Sequence, residues 1–130
     1  RAIIWHDGRG NPDKKLVITN SSFDAKSPTP LGRYHHDSHF YLANCSLSSN
    51  IMDRNIAYAY TDKVLDPCPW GPRIYYSGCY REGGDSGWLA DNTQSAPGSP
   101  EYHTFTAKWT FGGKWDPEAK IRDLWHILAY

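Results

Sequence analysis

The chain has 130 residues, and its 14 Lys and Arg balance 14 Asp and Glu, so the formal net charge at pH 7 is zero. This is one domain's length, enough to bury a core, and the level charge leaves no basic field to gather nucleic acid or hold an anionic membrane surface. Aromatic residues make up 15% of the chain against a single Met, which suits both a β-rich core and a surface that recognises a ligand face.

Ala2-Ile3-Ile4-Trp5 predicts a short strand, stopped by the loop chemistry of His6-Asp7-Gly8-Arg9-Gly10-Asn11-Pro12. Leu16-Val17-Ile18-Thr19 predicts a second, closed by Asn20-Ser21-Ser22. The prolines of Ser27-Pro28-Thr29-Pro30-Leu31-Gly32 make that stretch a connection, because a central strand does not tolerate them. Tyr34 to Asn44 is strand-like at its aromatic end, and Ser46 to Arg54 is polar with room for a helical turn. Ile56 to Tyr60 and Lys63 to Leu65 lead into Cys68-Pro69-Trp70-Gly71-Pro72. There each prolyl ring fixes φ and removes an N–H, so the segment must turn. With Arg73-Ile74-Tyr75-Tyr76 beyond it, Tyr58 to Tyr80 reads as a β-hairpin with an aromatic tip.

Arg81 to Gly87 is a glycine loop, Trp88-Leu89-Ala90 a brief apolar touch, and Asp91 to Pro100 a polar surface loop. Tyr102 to Phe111 gives the clearest strand pattern. Phe105, Ala107, Trp109 and Phe111 alternate with Thr104, Thr106, Lys108 and Thr110. Gly112-Gly113 ends it. The period then changes: Asp116 can cap a helix, Pro117 and Glu118 suit its first turn, and Ile121, Leu124, Trp125 and Leu128 form one apolar stripe for packing on a sheet. The expected fold is mainly β: residues 1–130 form a single-domain antiparallel β-sandwich or barrel, with one C-terminal amphipathic helix over about 116–129 and no internal repeat.

Cys45, Cys68 and Cys79 allow one disulfide and leave one thiol. Cys68 with Cys79 would brace the hairpin, Cys45 with Cys68 would tie successive strands, and the odd thiol leaves a fully reduced, intracellular state open. The sequons Asn20-Ser21-Ser22 and Asn44-Cys45-Ser46, and a start at Arg1 without a leader, fit a mature or trimmed secreted product.

Three constellations carry chemistry. In a strand, His35, Asp37 and His39 would share one face, a set of two imidazoles and a carboxylate able to ligate a metal, with His36 on the other face. Tyr34-His35-His36 followed by Gly71-Pro72-Arg73-Ile74-Tyr75-Tyr76 resembles the small guanyl-specific fungal ribonucleases and ribotoxins. That resemblance implies His36 as a catalytic imidazole and Arg73 as a phosphate ligand. Asp91 stands where the family has its second histidine, which implies an inactive relative unless another imidazole such as His103 arrives in space. Finally, Leu16 to Asn20, then Tyr41-Leu42-Ala43-Asn44-Cys45, then Cys68-Pro69-Trp70-Gly71 resemble the aegerolysins, small β-sandwich lipid binders. The resemblance implies membrane recognition through Trp70.

Together these predict a monomeric secreted binding protein of toxin, lectin or effector type rather than an enzyme, without a cofactor. Its ligand would be a membrane lipid head group, a glycan or a host protein, held on an aromatic surface of Trp70, Tyr75, Tyr76 and Trp88 beside Arg73.

Overall fold

A computed structural model describes residues 1–7, 14–35, 38–59, 73–93 and 105–128. Its strands are β1 (Ile4–Asp7), β2 (Leu16–Thr19), β3 (Ser22–Phe23), β4 (Gly32–His35), β5 (His39–Ala43), β6 (Ser46–Leu47), β7 (Ala57–Tyr58), β8 (Arg73–Ser77) and β9 (Tyr80–Arg81). Two helices follow, α1 (Ala107–Thr110) and α2 (Pro117–Leu128).

Among the described residues all strand pairs are parallel. They form three separate sheets, β1-β4-β7, β2-β5-β8 and β3-β6-β9. The chain therefore coils: each turn contributes one strand to each sheet, and the next turn stacks upon it. Leu16 pairs with Phe40 and Arg33 with Ala57, so one coil takes 24 residues. Phe40 pairs with Ile74, so the third coil is longer, with its extra residues between β7 and β8. This is a three-faced β-solenoid, in which each repeat buries its inner side against its neighbours.

The antiparallel sandwich or barrel expected from the sequence is thus replaced by three all-parallel sheets. Tyr58 and Tyr75 do not face each other across a hairpin, because β7 lies in the first sheet and β8 in the second. Tyr34 to Asn44 is two strands on different sheets. A repeat is also present, in the slots Leu16-Val17-Ile18-Thr19-Asn20, Phe40-Tyr41-Leu42-Ala43-Asn44 and Ile74-Tyr75-Tyr76-Ser77-Gly78. Few identities recur there. What recurs is inside, outside, inside, outside, then a corner.

Inward-facing rows run across the coils: Leu16, Phe40 and Ile74, then Ile18, Leu42 and Tyr76. Phe40, Leu42 and Tyr76 are fully buried, together with Leu31, Cys45, Leu47 and Ile51. Burial is deepest in the middle coil, which among the described strands has a coil on each side; Leu16, Ile18 and Phe23 of the first coil are half-buried. Truncating Phe40 to Ala should cost about 3–5 kcal/mol.

The corner after the middle sheet is left-handed in all three coils, with φ of 51° at Asn20, 54° at Asn44 and 62° at Gly78. Asn tolerates that region and Gly adopts it freely. Only Gly fits at 78, where an added Cβ would lie 2.5 Å from Asn44 Oδ1. Gly32 answers a different need. Ile4 and Ile56, from the coils on either side, close over it to within 2.8 and 2.9 Å of where a Cβ would stand.

The last strand of the middle sheet is covered by side chains acting as a strand. Asn92 Oδ1 accepts from the Tyr76 amide at 2.7 Å, and its Nδ2 donates to the Ile74 carbonyl at 2.9 Å. Asp91 Oδ1 accepts from the Gly78 amide at 2.8 Å, and the Asn92 amide donates to the Tyr76 carbonyl. These satisfy groups that an exposed edge would offer to another chain. Arg81 then ties β9 to the neighbouring turn, donating to the carbonyls of Ile51, Ser49 and Gly84.

The stretch with the clearest strand pattern is helical at residues 107–110. Its aromatics satisfy both periods, since Phe105 and Trp109 are two strand repeats apart and also one helical turn apart. Local chemistry decides between them. Thr106 caps the helix, its Oγ1 accepting from the Trp109 amide at 3.1 Å, and Gly112 and Gly113 at positive φ end it. The α2 start is as expected, with Asp116 Oδ1 accepting from the Ala119 amide. The apolar stripe of α2 is not packed on a sheet: Ile121, Leu124, Trp125 and Leu128 are 54–77% exposed.

Two substitutions test the coil corner and the edge cover. Gly78→Ala places a methyl group on Asn44 Oδ1 at positive φ and should destabilise by about 1–3 kcal/mol. Asn92→Ala leaves Tyr76 N–H and Ile74 C=O without their side-chain partner, a loss of about 1–3 kcal/mol. Urea unfolding checks both; a midpoint equal to wild type for either would contradict the account of that position.

Candidate functional site

The outer side of the middle sheet carries an aromatic row. Val17, Tyr41 and Tyr75 stand in register there, and the Tyr41 and Tyr75 rings stack 5.1 Å apart at 23°. Parallel register produces this stacking, because equivalent positions on neighbouring strands lie about 4.7–4.9 Å apart. Helix α1 covers the row. Phe105 and Trp109 meet Tyr41 edge-on, at 5.3 and 5.0 Å, and stack on each other at 5.4 Å. Tyr41 is almost wholly enclosed, whereas Tyr75 and Trp109 are only half-buried.

Basic groups rim the cluster. Lys15 Nζ lies 5.0 Å above the Trp109 ring, a cation–π contact. Arg73 pairs with His39 two residues before the Tyr41–Tyr75 pair and so shares their side of the sheet. Burial pushes the Tyr41 phenol up to about 12, with the neighbouring Tyr75 adding to the rise and Arg73 opposing it. Tyr41 is therefore a neutral hydroxyl at physiological pH, available to hydrogen-bond rather than to move a proton. An open depression of about 390 Å³ borders the cluster, lined by Thr106, Lys108, Trp109, Gly112 and Gly113.

The residues expected to form one aromatic surface go to different places. Tyr75 and Arg73 lie on the outer side of β8. Tyr76, one residue on, points inward and is fully buried, with its hydroxyl donating to Asn55 Oδ1 at 2.7 Å. Trp88 packs edge-on against Tyr76 at 5.7 Å, and its indole N–H donates to Asp53 at 2.7 Å. Trp70 lies outside the described residues. So do His36 and His103, named for the ribonuclease reading, and Asp37 of the metal set.

His35 and His39 fall on different sheets, His35 lying 3.7 Å from the Asp7 carboxylate and His39 beside the Tyr41 ring at 6.3 Å. Among the described residues no group of three His, Cys, Asp or Glu could hold a metal ion. Cys45 and Cys79 are reduced thiols.

Lys15, Tyr41, Phe105 and Trp109 were not among the sequence candidates. Two signals point to them: the one-turn spacing of Phe105 and Trp109 behind a Thr cap, and the 24-residue offset that puts Val17 and Tyr41 in one slot.

No family model matches this chain, and neither the curated proteins nor the solved structures contain a match. The arrangement of side chains therefore carries the functional argument alone.

The Asp53 carboxylate gathers the Ser86 hydroxyl at 2.6 Å, the Trp88 indole and the Ser86 amide, and these donors hold its pKa below the ordinary carboxylate value. A depressed pKa means the pin is fully formed above the ordinary carboxylate value and lost as pH falls through the lower folded one. The Trp88 indole N–H resonance should shift through that acid window, and Asp53→Ala should give the acid-form shift at neutral pH. A Trp88 resonance unchanged by acid and by Asp53→Ala would remove the pin.

Proposed function

We propose that this chain is a secreted, non-enzymatic glycan-binding module whose ligand lies on the outer aromatic cluster of the middle sheet. The observation that carries the reading is the in-register row of Tyr41 and Tyr75, extended by Trp109 and rimmed by Lys15 and Arg73. Pyranose rings present axial C–H groups on one face, and these pack on flat aromatic rings while the equatorial hydroxyls reach outward. A half-buried Trp109 beside an open depression supplies the ring, and Lys15, Lys108 and Arg73 supply donors for the hydroxyls. Gly112 and Gly113 leave part of the lining of the depression without side chains, with nothing within 4 Å of either missing Cβ.

This reading keeps Tyr75 and Arg73 from the sequence candidates and replaces Tyr76 and Trp88, which serve the core, with Trp109. Lipid and host-protein partners become alternative outcomes of the same test. Among the described residues no helix is long and apolar enough to cross a membrane.

A glycan array and pelleting with phosphatidylcholine–sphingomyelin vesicles, run on wild type and Trp109→Ala, separate these outcomes. Glycan retention that falls about tenfold or more in Trp109→Ala, roughly 1.4 kcal/mol or more for a stacking aromatic, supports the proposal. Lys15→Ala should weaken binding less, since it removes one donor and one cation–π contact and leaves the ring in place. Pelleting with vesicles in the absence of any glycan signal, or a folded Trp109→Ala that binds as wild type does, overturns it.

A further inference from the structure

We propose that Cys45 and Cys79 form a covalent modification site, at which Cys79 takes up a low-molecular-weight disulfide and Cys45 then closes a disulfide between successive coils. The two residues hold the same corner of the second and third coils. Each follows a left-handed residue, Asn44 or Gly78, and each precedes a ladder pair, Ser46 with Tyr80. Register therefore sets them opposite each other, 4.5 Å apart. Neighbouring parallel strands bring such positions to the near end of the Cα separation a disulfide spans, about 4.4–6.8 Å. Bond formation then asks for side-chain rotation rather than backbone movement.

Access is graded. Cys45 is fully buried in the core cluster, while Cys79 packs against that cluster from a partly exposed position. Competing contacts are weak: Cys79 Sγ lies 3.4 Å from the Leu42 carbonyl oxygen, and Cys45 Sγ 3.5 Å from that of Ala43. The first coil lacks the thiol, having Ser21 in this slot with its hydroxyl donating to the Thr19 carbonyl. A cross-link at this corner can therefore join only the second coil to the third.

The chemistry balances with one small disulfide, R–S–S–R. The Cys79 sulfur, having given its proton to solvent, attacks one sulfur of R–S–S–R; the released RS⁻ takes up a proton and leaves as RSH. The Cys45 thiolate then attacks the Cys79 sulfur of the mixed disulfide, and a second RSH departs. Two protein thiols are oxidised and one small disulfide is reduced. In the reduced pair one shared hydrogen bond holds the Cys45 pKa below and the Cys79 pKa above the ordinary thiol value, and burial raises both. The first attack by Cys79 therefore quickens as pH rises, and once Cys79 is in the mixed disulfide that hydrogen bond is gone, so the closing step rests on the nearness of the two sulfurs. The bond would enclose the whole third-coil insertion between β7 and β8, restricting the unfolded chain and holding in place the coil that carries Arg73 and Tyr75.

The experiment uses the full chain with Cys68→Ser, which removes the third thiol, incubated folded with oxidised glutathione. The expected product has lost two hydrogens and retains no glutathione. Its tryptic peptides Tyr34–Arg54 and Ile74–Arg81 are joined, and its Tm is higher than that of the reduced chain and reverts with dithiothreitol. Adding Cys45→Ser should stop the reaction with one glutathione on Cys79. Because that change buries a hydroxyl and can unfold the chain, the same mixed disulfide is also sought by acid quench at early times in the Cys68→Ser parent. Glutathione that remains on Cys79 in the parent, with Cys45 still alkylatable after unfolding, overturns the proposal. So does a folded chain that does not react, or a cross-link that forms as readily in denaturant.

Discussion

The structure depends on the enclosure of its middle coil. Phe40, Leu42, Cys45 and Leu47 project inward from consecutive positions of one turn, and each is covered by the turn before and the turn after. A solenoid is nearly one-dimensional, so a coil is stabilised only through its neighbours. With three coils, the middle one alone has two such neighbours among the described strands. The outer coils lean on it: Leu16, Ile18 and Phe23 of the first stay half-buried, while Tyr76 of the third is closed over by Trp88. The same dependence explains why the corners matter. A coil that misses its left-handed turn at Asn44 or Gly78 arrives out of register, and every side chain beyond it faces the wrong way.

The two faces of the middle sheet divide the work between them. Inside, aliphatic and aromatic rows form the core; outside, the Tyr41–Tyr75 row is closed over by Phe105 and Trp109. One-residue alternation separates Tyr75, at the outer cluster, from Tyr76, which is fully buried with a hydroxyl pinned to Asn55. Helix α1 is only one turn long and has no core of its own. It is held by its aromatics on the sheet and by Glu118 of α2, whose carboxylate accepts from the Ala107 amide at 3.1 Å. The outer cluster and the short helix therefore stabilise each other.

Some of this was legible from residue types alone. The strand Leu16–Thr19, its close at Asn20, and the Asp116-Pro117-Glu118 start of α2 follow from local preferences that act within a few residues. The repeat was not legible as identities, because inward slots accept any large apolar residue: Leu16, Phe40 and Ile74 share a position and little else. Nor did Phe105 to Phe111 declare itself, since a polar–apolar alternation containing aromatics four apart satisfies strand and helix together. The Thr106 cap broke that tie, on a hydrogen bond of 3.1 Å.

The stretch from Tyr58 to Tyr80 shows where the division falls. The sequence by itself determined that residues 73–77 extend as a strand, from the β-propensity of Ile74, Tyr75 and Tyr76. It did not separate Tyr75 from Tyr76, which were expected on one aromatic surface and which strand alternation sends to opposite sides. Partner and direction are different matters, because a strand's backbone offers its donors and acceptors to parallel and antiparallel neighbours alike. Only the tertiary structure decided that β8 lies beside β5 and parallel to it. That choice comes from packing Ile74 on Phe40 and Tyr76 on Leu42, contacts made across 34 residues of chain. By placing Cys79 against Cys45 and Tyr75 against Tyr41, it created both sites proposed for this protein.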